Sequence, residues 1–146
     1  MAFNVLVVDD SAAMRSIIIK TLRLSGVPLG EVYQAGNGQE GLQALAENWI
    51  DLALVDLNMP TMGGEEMLTQ LRAQADTAHL PVVVISTESS DTRIATLRDQ
   101  GAGFIHKPFK PEELRAQISQ VTGVSDESFN ASGDGTSAVS GSGFDF

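Results

Sequence analysis

Residues 52–60 read LALVDLNMP. Leu52 to Val55 have the length and composition of a buried strand, yet the run ends on the carboxylate of Asp56. Near the N-terminus VLVVDDSAAM does the same, with Val5 to Val8 delivering Asp9 and Asp10. Two apolar strands that hand acids to one end imply a site there, because neighbouring buried carboxylates repel one another unless another charge compensates them.

Outward from these two runs the chain alternates strand-like and helical patterns. FNVLVV precedes a helical face of Met14, Ile17, Ile18 and Leu22, and EVYQA precedes one of Leu42, Leu45 and Ala46. DLALVD precedes Met67, Leu68 and Leu71, and PVVVIS precedes Ile94 and Leu97, with a stop near Gly101. GFIHK leads to a last helix with Pro111 in its first turn and Leu114, Ile118 and Val121 inward. Five strands, each followed by a helix, predict an α/β fold: a five-stranded parallel sheet with helices on both faces. Trp49, at a helix end, is expected to pack. After Gly123 the chain turns to Gly, Ser, Asp and Ala without periodicity or any basic residue. The expected division is therefore a domain over 1–123 and a flexible, acidic, Gly/Ser-rich tail over 124–146. Phe144 and Phe146, flanking Asp145 at the tail's tip, are candidates for a short anchor.

The 146 residues suffice for one domain with a single core. Cysteine is absent, which excludes disulfides, thiolate metal sites and thiol catalysis and fits a cytoplasmic protein. No apolar run approaches the ~20 residues of a membrane span, and the opening lacks a basic region before an apolar core, so neither a span nor a signal peptide is expected. A net charge of −10, of which the tail's acids supply four, repels phosphate backbones and argues against nucleic acid as a partner. His79 and His106 are too far apart in the pattern to suggest a histidine metal site.

In open parallel sheets ligands bind beyond the carboxyl ends of the strands, where the strand order reverses. If the first and third strands are neighbours, Asp9, Asp10 and Asp56 converge, and their all-oxygen donor set selects Mg²⁺ or a relative such as Mn²⁺. The fourth strand ends on Ser86, and the fifth leads to Lys107. Acids, a hydroxyl and an ammonium around one cleft suit a tetrahedral anion beside a metal. Asp56 is the best placed nucleophile, since a carboxylate can accept a phosphoryl group as an acyl phosphate. Lys107, together with the cation, would neutralise the phosphoryl oxygens during in-line transfer. Two other classes fit less well. Phosphatases with an aspartyl nucleophile commonly place a second acid two residues on, where this chain has Asn58. A flavodoxin-type protein needs a phosphate-binding Ser/Thr/Gly loop after the first strand, where this chain has DDSAAM.

VVDDSAAMR, VDLNMPTMGG, VVVISTES and FIHKPF, in that order, resemble the markers of the receiver domains of two-component response regulators, above all the stand-alone, CheY-like chemotaxis regulators. The resemblance covers roughly residues 3 to 122. It implies the flavodoxin/CheY-like (βα)5 receiver fold, with strand order 2-1-3-4-5. By resemblance, Asp56 is the phosphoacceptor, Asp10 the direct metal ligand, Asp9 a ligand through a metal-bound water, and Asn58 a ligand through its backbone carbonyl. Ser86 matches the hydroxyl that bonds the phosphoryl group. Lys107 matches the active-site lysine, with a cis bond to Pro108. Phe104 takes the place of the aromatic switch, without the hydroxyl of the Tyr often found there. Asn58 and Glu88 match positions that modulate self-dephosphorylation, and Thr87 is bulkier than the Ala common beside the switch hydroxyl. The implied function is not that of a separate enzyme. It is a phosphoacceptor, loaded by a CheA-like sensor histidine kinase, that switches binding to an output protein such as a flagellar motor component. A phosphatase is a possible further partner, and the expected state is a cytoplasmic monomer. The alternative within the family is a single-domain phosphorelay intermediate or phosphate sink. No DNA-binding segment follows the pattern, so direct transcriptional control is not expected.

Overall fold

The computed structural model describes residues 2–87 and 90–125, together with Glu127 and Phe129. The chain runs β1 (Phe3–Val8), α1 (Ala12–Leu24), β2 (Leu29–Ala35), α2 (Gly38–Glu47), β3 (Leu52–Val55), α3 (Gly64–Arg72), β4 (Val82–Ser86), α4 (Asp91–Asp99), β5 (Gly103–His106) and α5 (Pro111–Thr122). The strands form one sheet in the order β2-β1-β3-β4-β5, with every pairing parallel. Both the alternation and the strand order expected by resemblance are present.

Because helices cover both faces, β3 and β4 are buried along their whole length and read as continuous apolar runs rather than alternating ones. The period-two geometry survives in where the side chains go. Val5, Val7, Leu52 and Leu54 enter one core with Ile18 and Leu22 of α1 and Leu114 and Ile118 of α5. Leu6, Val8, Ala53 and Val55 enter the other with Met67, Leu68 and Leu71 of α3 and Leu97 of α4. Helix starts follow the residue chemistry. Ser11, Asn37 and Ser90 cap α1, α2 and α4 with side-chain oxygens that accept backbone N–H groups. Pro111 opens α5, and Gly123 closes it in a left-handed conformation (φ 73°) that suits glycine.

Three expectations need correction. Ile17 is exposed: it sits one residue, about 100° of helical rotation, from Ile18, and it falls off the stripe that Ile18 and Leu22 bury. Ala46 is likewise exposed; α2 meets the sheet through Gly41, which lies against Val8, while Leu42 and Leu45 pack against the core as expected. Trp49 is 79% exposed rather than packed, because α2 ends at Glu47 and the chain turns away from the core before β3 begins.

The core also reaches past Gly123. Val124 packs against it, and Phe129 is fully buried within it. The Phe129 ring meets Phe3 edge-on at 5.9 Å between centroids, and the Arg115 guanidinium lies 5.7 Å above it. The boundary expected at Gly123 therefore leaves two packing residues in the tail. Residues 130–146 of the expected tail, including Phe144 and Phe146, lie outside the described residues. Phe129→Ala should destabilise the fold by about 3 kcal/mol, the usual cost of emptying a buried aromatic position. Urea unfolding would show this as a lower midpoint with an unchanged slope.

Candidate functional site

The site begins with strand register. β1 and β3 pair so that Val8 lies beside Val55. The next residues, Asp9 and Asp56, therefore emerge side by side, and the Asp56 N–H donates to the Val8 carbonyl at 2.9 Å. The Asp9 N–H donates to Ala35 of β2, and its Oδ1 accepts from the Ser11 N–H, which orients the carboxylate away from the sheet. Carboxylate oxygens of Asp9, Asp10 and Asp56 all lie within 4.8 Å of one another. Asp9 and Asp56 are buried, at 2% and 6% exposure, while Asp10 faces solvent.

On the other side of the sheet, β4 and β5 end together, with Ser86 beside His106 and the Lys107 N–H donating to the Ser86 carbonyl at 2.9 Å. The Lys107 side chain reaches back across the strand ends. Its Nζ stands 3.3 Å from both Asp9 Oδ2 and Asp56 Oδ1. The Lys107–Pro108 bond is cis. Ser86 is fully buried, and Phe104 is buried in β5 with its ring edge-to-face with His106 at 4.9 Å. Asn58 is exposed in the loop after β3. Glu88 lies outside the described residues.

Burial pushes the Asp56 carboxyl above its ordinary value; the Lys107 ammonium pulls it down, and the Asp9 charge pushes it up again. Two charges about 4 Å apart interact by roughly 4 kcal/mol at the effective dielectric of a protein surface. One ammonium therefore cannot balance three carboxylates. The remaining negative charge and the all-oxygen donors fit a hard divalent cation, for which Asp9, Asp10 and Asp56 could serve as ligands.

The loop that follows Asp56 is shaped by close backbone approach. The Gly64 N–H donates to the Leu57 carbonyl at 3.0 Å, and a Cβ at position 64 would stand 2.3 Å from the Asp56 carbonyl oxygen. Any side chain there would displace the acid, so the Gly63-Gly64 pair is a geometric requirement of the site. Arg15 follows the acid pair and could, from the sequence, either border the cleft or simply belong to the helix; the structure brings it to the site. Arg15 donates through Nη1 to the Asp9 carbonyl at 2.6 Å and through Nε to Gln34 Oε1 at 2.9 Å, tying α1 to the ends of β1 and β2. Glu65, in the first turn of α3, pairs with Arg93 of α4 at 2.6 Å. Glu65, by contrast, reads as an ordinary solvated helix charge until α4 is in place beside it.

An open parallel sheet that gathers three acids and a lysine at the carboxyl ends of its strands is the arrangement expected of receiver domains. The chain belongs to the response regulator receiver domain family, which it matches over residues 5–119. It is 33% identical over 123 residues to a Campylobacter jejuni chemotaxis protein CheY homolog, covering 83% of this chain and 93% of that one. It is 39% identical to the transcriptional regulatory protein PrrA of Mycobacterium bovis over 119 residues, but that match takes in only 49% of PrrA. Among solved structures, chemotaxis protein CheY4 of Vibrio cholerae superposes with a TM-score of 0.73 at 33% identity, over 83% of this chain and 99% of that one. Among the described residues no helix is long and apolar enough to cross a membrane.

The raised Asp56 pKa makes the folded state bind more protons than the unfolded state between the ordinary value, 3.8, and the raised one. Stability from this group therefore falls as pH rises through that window, and above it the penalty is fully present. Without divalent cations, Asp56→Asn should be more stable than the wild type at pH 7 by roughly 1 kcal/mol. The difference should close below the ordinary carboxylate pKa. Denaturation in EDTA across pH checks both the sign and the window.

Proposed function

We propose that this chain is the receiver of a response regulator that accepts a phosphoryl group on Asp56 from a sensor histidine kinase and thereby changes its affinity for an output protein. The observation that carries the reading is the placement of Asp56: buried at the end of β3, within 3.3 Å of the Lys107 ammonium and beside two further acids.

In this reading a carboxylate oxygen of Asp56 attacks the phosphorus of the kinase's phosphohistidine. The new O–P bond forms as the N–P bond breaks, and the histidine ring leaves as neutral imidazole, its other nitrogen carrying the proton. Lys107 neutralises a phosphoryl oxygen. Bound Mg²⁺, or Mn²⁺ in its place, supplies the positive charge that three acids otherwise lack. Its ligands would be Asp10 directly, Asp9 through water, an Asp56 oxygen and the Asn58 backbone carbonyl. The side chains of Asn58 and Glu88 would set how readily water reaches the acyl phosphate. Acetyl phosphate and Mg²⁺ should add about 80 Da, one phosphoryl unit, to the intact wild type and nothing to Asp56→Asn. An unmodified wild type would refute the assignment.

The output step uses Ser86 and Phe104. The Ser86 hydroxyl would turn to the phosphoryl oxygen, and the Phe104 ring would move into the space this frees. That changes the face built from α4, β5 and α5, a population shift set off by a local charge. Reversing a 1:99 population needs about 5.5 kcal/mol, whereas one charge-assisted hydrogen bond contributes about 1.5–3 kcal/mol. The switch is therefore partial, or is completed by the partner. Ser86→Ala should still load phosphoryl on Asp56 but lose most of the phosphorylation-dependent gain in partner affinity, about tenfold or more. Titration with and without beryllofluoride measures this.

Chemotaxis is the output that the comparisons support. The chain spans 93% of the Campylobacter chemotaxis protein but only half of PrrA. The partners would then be a CheA-like kinase, a flagellar motor switch component and a phosphatase, all met in the cytoplasm.

A further inference from the structure

The end of the sheet opposite the acids carries a second built feature. Trp49 is the protein's single tryptophan, and it is 79% exposed. Its indole is nevertheless held in place. Nε1 donates to Asp51 Oδ1 at 3.0 Å, and Asp51 Oδ2 accepts from the Asn4 N–H at 2.8 Å. The Asn4 amide in turn donates to the Trp49 carbonyl at 3.0 Å. The ring is thus pinned to the start of β1 while its surface stays in water. Beside it lies a groove of about 630 Å³, with Leu45, Ile50 and Leu80 among its apolar lining and Glu47 and Asp76 as its acids. No basic residue lines it. The C-terminus of α2, the negative end of the helix dipole, falls at the same place with no basic residue in its last turn.

We propose that this groove is a docking site for a segment of a partner protein that presents Arg or Lys among aliphatic residues. The aliphatic side chains would cover Leu45, Ile50 and Leu80, and the groove's volume accommodates a few side chains of a peptide. The cation would sit between the Glu47 and Asp76 carboxylates and the indole, which attracts positive charge to its face. Charge selects this occupant over the two nearest rivals. The chain's own Phe144-Asp145-Phe146 brings an acid and no cation, and a second copy of a chain of net charge −10 brings the same acidic rim. The groove opens at the starts of β3 and β4, about 13 Å of strand from Asp56. A partner held there would leave the phosphoacceptor site and the Phe104 face free, so this contact would not depend on phosphorylation.

Trp49 reports on its own groove. The full chain is titrated with a short amidated peptide of Leu, Arg and Ser while tryptophan emission is followed. A saturable blue shift is expected, absent when Glu replaces Arg in the peptide. Binding should be about tenfold weaker in the Glu47→Gln/Asp76→Asn double variant, the loss expected for two partly desolvated charge pairs. No saturable shift, or equal affinity in the double variant, would overturn the proposal. So would emission of the protein alone that changes with its own concentration, which means a second copy fills the groove. A red shift in Phe144→Ala/Phe146→Ala would do the same, since it means the chain's own segment lies there.

Discussion

The pairing of β1 with β3 in equal register is the constraint on which the molecule depends. It sets Asp9 and Asp56 shoulder to shoulder at the edge of a low-dielectric sheet. Their mutual repulsion, added to the cost of burial, is what a stable fold ordinarily avoids. Lys107 offsets part of it from two strands away, bridging both carboxylates at 3.3 Å. The rest is left standing. An acid held at this disadvantage gains from any cation or any chemistry that removes its charge, which is how the unfavourable electrostatics fit the proposed phosphoacceptor role.

The surroundings of the pair keep it from relaxing. Gly64 lets the loop after β3 fold against the Asp56 carbonyl, and Arg15 clamps the Asp9 backbone to the end of β2. The Glu65–Arg93 ion pair joins the first turn of α3 to α4, the helix that leads away from Ser86. Backbone and side-chain contacts therefore tie down the acid cluster, and an ion pair links the two helices beyond it. The Trp49 groove, by contrast, sits at the opposite end of the strands. One end of the sheet carries charge chemistry and the other an apolar, acid-rimmed surface, and the rigid sheet separates the two.

Much of the fold and the acid cluster was legible in the sequence, because both rest on strong local patterns. Interior strands of a doubly covered sheet must be apolar throughout, so an acid can appear only where the strand leaves the core. That made Asp9, Asp10, Asp56, Ser86 and Lys107 stand out by position as much as by chemistry. The failures share a cause. Ile17 and Ile18 are alike in composition and differ only in their angle on α1. Phe129 lies in a polar stretch, SDESFN, that gives no hint of the cleft between Phe3 and Arg115 that receives it. Arg15 is open between the cleft and the helix face until Ala12 begins α1 and turns it toward the Asp9 carbonyl.

By itself the sequence determined the alternation of strand and helix, the two-sided burial of the sheet and the set of acids at its strand ends, because each follows from where apolar residues stop along one stretch of chain. Tertiary structure alone decided that Asp9 and Asp56 are neighbours, that Lys107 reaches both, that Phe129 completes the core and that Trp49 stays outside it. Those are relations between segments far apart in sequence, and they depend on strand register and helix rotation, which no local pattern encodes.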